Sequence, residues 1–165
     1  MQEMIDIKDL SESQLQDLME RLLSGDTTMQ EAKGLTDEQM EAVYGIAYNY
    51  YMAGKYQDSS NVFTWLVLCN PFTSKYWLGL GASLQLAGEL DRALHAYAVA
   101  ALTGEPKDPT PHLHAAECCL AGGQVEDGRK ALKMAIEFGE NRPEVAKVYK
   151  KAKALLSILE EKKNG

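Results

Sequence analysis

The fold of this chain is decided by two short stretches, Trp77-Leu-Gly-Leu-Gly81 and Ala93-Leu-His-Ala-Tyr97. The order of small and bulky residues in them is typical of a helix–turn–helix unit whose two helices cross closely. Gly81 and Ala93 are small where the helices would meet, Trp77 and Tyr97 fill the space around the crossing, and Gly88 supplies the turn. We therefore predict that Trp77 is buried and that Tyr97 lies close to it.

The same pattern occurs three times in register. An earlier unit begins at Met40 with Gly54 in its turn, and a later unit has Gly123 in its turn. The later unit is the most eroded, since His112 stands at the tryptophan position and Gly128 stands where alanine is usual. Three units in register are the signature of tetratricopeptide repeats. The sequence predicts an all-α tetratricopeptide-repeat solenoid of three repeats with flanking N- and C-terminal helices, seven or more helices in total, and no sheet.

Helix start signals mark where the flanking helices join the repeats. Ser11 with Gln14 and Thr36 with Gln39 have the spacing of capping boxes, and Asn141 is the expected N-cap of the last helix. The resulting organisation is an N-terminal helix and loop at 1–35, three repeats within 36–142 (about 40–73, 74–108 and 109–142), and a C-terminal capping helix at 143–165.

Composition limits the classes of partner. A chain of 165 residues fits one domain, and its net charge of −7 argues against nucleic acid or an anionic membrane as a partner. The stretch from Met1 to Asp6 lacks the basic and apolar regions of a signal peptide. The longest apolar run, 62–69, is too short to span a bilayer. We therefore expect a cytosolic protein that binds no nucleic acid and does not insert into membranes.

Catalytic and metal-binding patterns are weak. His114 and Cys118 stand four residues apart on a helix, but no second pair has ligand spacing, and Cys118-Cys119 is not a C-x-x-C motif. The remaining histidines, His95 and His112, belong to no recognisable catalytic motif. The sequence predicts no enzyme activity, no metal site and no cofactor.

The concave face of the solenoid is the expected binding surface. The first helix of each repeat lines this face through positions that its core residues leave free. Those positions hold Tyr44, Tyr48 and Tyr51 in repeat one, Leu78, Ala82 and Gln85 in repeat two, and Leu113, Glu117 and Leu120 in repeat three. This mostly apolar and aromatic set suits an extended peptide with spaced hydrophobic side chains. It lacks the cations that a bound C-terminal carboxylate needs. The alternative for the three tyrosines is ordinary core packing against the N-terminal helix.

Each flanking helix has an apolar stripe. In the N-terminal helix the stripe consists of Leu15, Leu18, Met19 and Leu22. Because this helix lies outside the repeats, its stripe either packs on repeat one or forms a dimer contact. In the C-terminal helix four lysines, Lys147, Lys150, Lys151 and Lys153, lie largely off the stripe, and we interpret them as the solvated face of a cap.

Some stretches go beyond the generic repeat pattern. They are Leu23-Ser-Gly-Asp-Thr27, Leu78-Gly-Leu-Gly-Ala82 with Gln85, and His114-Ala-Ala-Glu-Cys118. Over residues from about Leu10 to Ala135 the chain resembles the type III secretion translocator chaperones, the class II, low-calcium-response or SycD-type family. Its departures from that family lie mainly in the C-terminal helix.

The resemblance implies a function. It implies a cytosolic bacterial chaperone that binds and stabilises one or two hydrophobic translocator proteins before export. It further implies that a segment near the translocator N-terminus lies in the groove, and that the chaperone is a homodimer through its N-terminal region. From the residues alone a second function stays open, that of a generic tetratricopeptide adaptor that organises a complex without protecting cargo.

Overall fold

The computed structural model of the protein describes residues 10–164, which form nine α-helices and contain no strand. The helices are α1 (Glu12–Ser24), α2 (Met29–Ala32), α3 (Asp37–Met52), α4 (Tyr56–Cys69), α5 (Ser74–Leu86), α6 (Leu90–Thr103), α7 (Pro109–Ala121), α8 (Val125–Gly139) and α9 (Ala146–Asn164). The predicted all-α fold is confirmed. The stretch from Met1 to Asp6, in which the sequence shows no signal-peptide features, lies outside the described residues.

The helices from α3 to α8 form three antiparallel pairs, and each helix packs on the next along the chain. The turns inside the pairs contain Gly54, Gly88 and Gly123, whose φ values of 74°, 84° and 78° are left-handed and favour glycine. The first helices of the pairs also contact one another, α3 with α5 and α5 with α7, and α7 contacts α9. They therefore form one layer, which is the concave side of the solenoid.

The two capping boxes predicted at the N-terminal side are present. The hydroxyl of Ser11 accepts from the backbone of Gln14, and that of Thr36 accepts from the backbone of Gln39. The predicted cap at Asn141 is wrong, because this residue has a left-handed φ of 58°. The chain instead makes a 3₁₀ turn at Pro143–Val145 before α9 begins.

The environment of the signature residues differs in part from expectation. Tyr97 is 1% exposed, and a Cβ atom on Gly81 would lie 2.6 Å from its ring, so the close crossing at Gly81 is real. Trp77, however, is only partly buried, and the prediction of full burial is wrong. Its indole nitrogen donates to the carbonyl of Pro71 at 2.7 Å, and its ring lies beside Leu68 on the outer side of α5.

The core has two parts. The first joins α3 to α6 and includes Phe63, Leu84 and Tyr97. The second joins α7, α8 and α9 through residues that include Leu113, Leu132 and Ala152. The last helix therefore continues the packing of the repeats. Among the helices described, none is both long and apolar enough to cross a membrane.

Candidate functional site

A cleft of about 300 Å³ opens on the concave layer. Its walls come from three successive first helices, α3, α5 and α7, and its floor includes one side chain of α4. The lining residues are Tyr44, Tyr48, Tyr51, Phe63, Lys75, Leu78, Gly79, Ala82, Thr110 and His114. The structure thus brings together five of the nine residues predicted for peptide binding, namely Tyr44, Tyr48, Tyr51, Leu78 and Ala82.

The tyrosine wall is fixed by packing. The ring of Tyr44 meets the ring of Phe63 edge-on, with centroids 5.5 Å apart, and the ring of Tyr51 meets that of Tyr56 at 5.7 Å. Both partners belong to α4, and the ring of Tyr44 also contacts that of Tyr76 on α5 at 6.2 Å, so the aromatic contacts of the wall are with the repeats and not with the N-terminal helix. Tyr48, by contrast, is 49% exposed. Two tyrosines are held in place before any ligand arrives, which lowers the entropy cost of binding.

The tyrosine hydroxyls offer neutral polar groups. Burial raises the pKa of Tyr51, and the neighbouring Tyr56 and Tyr48 raise it further. The hydroxyl of Tyr51 therefore stays protonated at neutral pH. The wall combines apolar ring faces with hydroxyl groups that both donate and accept hydrogen bonds.

Lys75 brings a positive charge to one end of the cleft. Its ammonium group is bonded to Glu41 and lies 5.1 Å from the ring centre of Tyr44 and 5.6 Å from that of Tyr76. The hydrogen bond to Glu41 raises the pKa of Lys75, so the amine stays charged. Because Glu41 already balances this charge, Lys75 does not make the cleft a carboxylate site.

A network of polar side chains closes the other end. The Nδ1 atom of His114 lies 3.1 Å from Glu117 Oε2, and the Nζ atom of Lys151 on α9 lies 2.5 Å from Glu117 Oε1. The imidazole of His114 stacks on the ring of Tyr97 at 5.3 Å. Burial alone would raise the pKa of Glu117, but the hydrogen bonds from His114 and Lys151 outweigh it and lower the pKa. The carboxylate is thus ionised at neutral pH and connects the C-terminal helix to the cleft.

Four predicted groove residues lie outside the cleft lining. Leu113 is 3% exposed and packs in the second core, so its prediction as a free groove residue is wrong. The side chain of Gln85 accepts a hydrogen bond from the hydroxyl of Tyr97 at 2.8 Å. Glu117 holds the polar network described above, and Leu120 packs against the second core beside Gly128.

Five lining residues were absent from the sequence prediction: Phe63, Lys75, Gly79, Thr110 and His114. Phe63 is 2% exposed and belongs to the core, yet one part of its ring reaches the cleft floor. The family resemblance had already singled out the stretch that starts at His114, so that residue had a signal. Gly79 lies within another stretch of that resemblance, Leu78-Gly-Leu-Gly-Ala82, whereas Thr110 had no signal.

The described part of the chain contains neither an exposed, activated thiol nor a cluster of metal ligands. Cys69, Cys118 and Cys119 are buried and unpaired thiols. Burial raises the pKa of Cys118 to about 12, so its thiol stays protonated at neutral pH. Residues 10–164 also contain no group of three or more histidine, cysteine, aspartate or glutamate side chains placed to hold a metal ion.

The apolar stripe of the N-terminal helix α1 is only partly covered. None of its residues is buried, Met19 is 55% exposed, and Leu15, Leu18 and Leu22 are only partly covered. Within residues 10–164, the stripe is therefore not fully covered by the repeats. Part of this apolar helix face stays accessible.

Comparison with known proteins gives a consistent family. The tetratricopeptide repeat family matches residues 84–156. Low calcium response locus protein H of Yersinia pseudotuberculosis is 33% identical over 145 residues, which are 88% of this chain and 86% of that protein. A chain in the crystal structure of a T3SS complex from Aeromonas hydrophila superimposes with a TM-score of 0.83 at 26% identity, covering 90% of this chain and 98% of that one.

The Yersinia enterocolitica type III secretion chaperone SycD is similar in two crystal structures. In complex with a peptide of the translocator YopD it has a TM-score of 0.73 at 33% identity, over 78% of this chain and 98% of SycD. In an alternative dimer its TM-score is 0.75 at 33% identity, over 79% of this chain and 98% of SycD. The family resemblance seen in the sequence is confirmed. The identity to protein H extends over most of both chains, and the chain therefore belongs to the type III secretion translocator chaperones of the low-calcium-response type, built on tetratricopeptide repeats.

Proposed function

We propose that this protein is a cytosolic chaperone that binds one or two hydrophobic translocator proteins before their export. An extended segment of the cargo lies in the cleft between α3 and α5. The observation that carries the proposal is the aromatic cleft itself, since its wall is preformed and mostly apolar. The YopD peptide complex of the similar chaperone SycD supports the same kind of ligand.

The cleft suits apolar side chains on an extended peptide. The rings of Tyr44 and Tyr48 and the side chain of Leu78 offer apolar surface. The hydroxyl groups of the two tyrosines and of Thr110 can form hydrogen bonds with the peptide backbone. Burial of two or three aliphatic side chains contributes about 1.5–3 kcal/mol each. After the cost of ordering the peptide, the expected affinity of an isolated segment is roughly micromolar.

The test is cargo solubility on co-expression, with cargo candidates taken from secreted proteins that carry apolar membrane-active segments. We expect Tyr48→Ala combined with Leu78→Ala to lose the soluble cargo while helicity is retained, because both side chains line the cleft and neither is buried. A matched control is Met52→Ala with Leu86→Ala on the same two helices, whose side chains are 65% and 48% exposed and lie outside the cleft.

The outcomes separate the proposed function from its alternative. If the cleft variant still keeps cargo soluble, the cleft is not the main binding site. If cargo stays soluble in the complete absence of this protein, the protein is better described as an adaptor that organises a complex.

We also propose a homodimer formed through the apolar stripe of α1, the residues Leu15, Leu18, Met19 and Leu22. The support is the incomplete burial of this stripe in the single chain. The alternative dimer of the similar protein SycD shows that a member of the family self-associates. Loss of the dimer in Leu18→Glu with Met19→Glu, measured by light scattering, is the test of this contact.

A further inference from the structure

The ring of Phe63 occupies the space in which a side chain of residue 79 would stand. A Cβ atom added to Gly79 would overlap the Cε1 and Cζ atoms of Phe63 and would lie 2.8 Å from its Cδ1 atom. Real Cβ atoms essentially never approach another heavy atom so closely. The close contact between α4 and α5 at this point therefore depends on residue 79 being glycine.

The ring of Phe63 has little room to move away. It is 2% exposed, and the ring of Tyr44 stands edge-on against it at 5.5 Å. A displaced Phe63 ring would therefore press on Tyr44, which is a wall of the cleft. The collision would be passed to the binding surface because interior packing is dense.

The two helices are also held together one turn further along. The hydroxyls of Ser59 on α4 and Ser83 on α5 lie 2.8 Å apart, and both side chains are fully buried. Ser59 donates to the carbonyl of Ala47 on α3 at 2.9 Å, and Ser83 is placed 2.8 Å from the carbonyl of Gly79. These bonds fix the helix spacing, so α5 does not simply retreat to make room for a larger residue 79.

We propose that Gly79 is a positioning residue that sets the depth of the cleft by seating Phe63 as its floor. The floor thereby limits the size of the cargo side chain that the cleft can take. This inference rests on the proposed function, since it concerns the side chain that the same cleft binds. A floor that differs by one or two carbon atoms is enough for discrimination, because pockets of this kind separate ligands by about 10- to 200-fold per methylene.

The first experiment measures peptide affinity by calorimetry, with the YopD peptide of the SycD complex as the probe. We expect Gly79→Ala to weaken binding about tenfold or more, as Phe63 and Tyr44 are pushed into the cleft. The matched control is Gly45→Ala in the neighbouring helix α3, where an added Cβ atom meets nothing within 4 Å. Its affinity should stay within about twofold of wild type, and equal affinities for the two alanine variants would overturn the inference.

The second experiment tests whether the effect passes through Phe63. Phe63→Leu shortens the ring, so adding it to Gly79→Ala should restore most of the lost affinity. Phe63→Leu alone should deepen the cleft and raise the affinity for a probe in which one aliphatic residue is replaced by phenylalanine, relative to the parent peptide, by about tenfold. A loss of packing alone would weaken both probes equally, and an unchanged ratio would count against the inference. This variant also decides the matter if Gly79→Ala fails to fold.

A third measurement keeps this inference separate from the proposed function. In the absence of any peptide, the NMR signals of the Phe63 ring should shift in Gly79→Ala and stay in place in Gly45→Ala. Unchanged ring signals in Gly79→Ala would overturn the inference that Gly79 positions the Phe63 ring. If the ring signals shift but the wild-type protein binds no translocator segment, the proposed function is rejected. The positioning role of Gly79 would then still hold.

Discussion

Helices α1 and α3 begin with the same capping signal but differ in how far their apolar faces are buried. Each starts with a capping box, at Ser11 and at Thr36, and each has apolar residues at helical spacing. Yet α3 buries Met40 and Ala47 against the repeats, whereas α1 buries none of its residues. Local signals decide that a helix forms, and only a partner surface decides whether its apolar face is covered. In α3 that surface is α4 and α5 of the same chain, and for α1 we propose a second copy.

The largest expected effect lies where the repeats cross. Tyr97→Ala should lower the free energy of unfolding by about 3–5 kcal/mol, because the ring is 1% exposed and fills the space above Gly81. Trp77→Ala should cost less, about 2–3 kcal/mol, because Trp77 is only partly buried. Urea unfolding followed by circular dichroism measures both.

The control for this pair is Leu102→Ala, since Leu102 is 86% exposed and should change stability very little. If Trp77→Ala proved more damaging than Tyr97→Ala, the helix crossing would be organised around the outer side of α5 and not around Gly81.

The positions of the cleft residues show how far the sequence alone can go. Counting from the repeat starts placed Tyr44, Tyr48 and Leu78 on the cleft, because those positions depend only on the helical period. It missed Phe63, whose access to the cleft depends on the close contact with Gly79 in another helix. Such a contact between helices has no period along the chain.

The wrong prediction for Leu113 has a similar physical cause. Its position in the repeat is a concave one, but in the structure it joins the second core, which includes Ala152 of α9. The sequence predicted that the last helix forms a cap and left open which side of α7 it covers. Lys151 was likewise assigned to a solvated face, and it is indeed exposed, but its ammonium group reaches Glu117 at the end of the cleft.

Gln30 connects the N-terminal segment to repeat one through hydrogen bonds. Gln30 is 7% exposed, accepts from Asn70 Nδ2 at 2.8 Å and donates to Asp37 Oδ1 at 2.7 Å. Gln30→Ala would leave the amide of Asn70 without this acceptor and should cost about 1–3 kcal/mol. Urea unfolding measures the loss, and Gln16→Ala on the exposed surface of α1 is the control.

Limited proteolysis gives a second measurement of the same connection. In Gln30→Ala the segment at 25–36 should be cut faster than in wild type, because α2 is a single turn with few other contacts. Equal cleavage rates would mean that α2 is held by packing and that the hydrogen bonds of Gln30 are dispensable.

A smaller effect is expected from the polar network at the end of the cleft. Because the pKa of Glu117 is lowered in the folded protein, its ionised carboxylate stabilises the fold. That stability is present above the ordinary carboxyl pKa of 4.5 and is lost as the pH falls through the lowered value. At about pH 7 we expect Glu117→Gln to cost about 0.5–1 kcal/mol, since the group is partly exposed.

Urea unfolding at several pH values tests this sign. The difference between wild type and Glu117→Gln should shrink as the pH falls from about 6 to about 3, while the exposed control Glu160→Gln should show little difference at any pH. A difference that grows on acidification would mean that Glu117 is better accommodated when protonated, and that the bonds to His114 and Lys151 do not outweigh burial.

The smallest effect on the folded monomer, and the sharpest test of the comparison between α1 and α3, is expected on the stripe of α1. Leu18→Glu with Met19→Glu should change the unfolding free energy of the monomer by only about 0.5 kcal/mol, because neither side chain is buried. The same change should dissociate the dimer, since two carboxylates would have to be desolvated in an apolar contact. Light scattering at about tens of micromolar, a concentration suited to small interfaces, should show a dimer for wild type and a monomer for the variant.

The control Glu12→Gln with Gln16→Glu lies on the same helix, outside the stripe, and should leave the dimer intact. A wild-type protein that is monomeric at that concentration would reject the dimer. A dimer that persists in the Leu18→Glu, Met19→Glu variant would place the contact elsewhere, and the free face of α1 would then need a different partner.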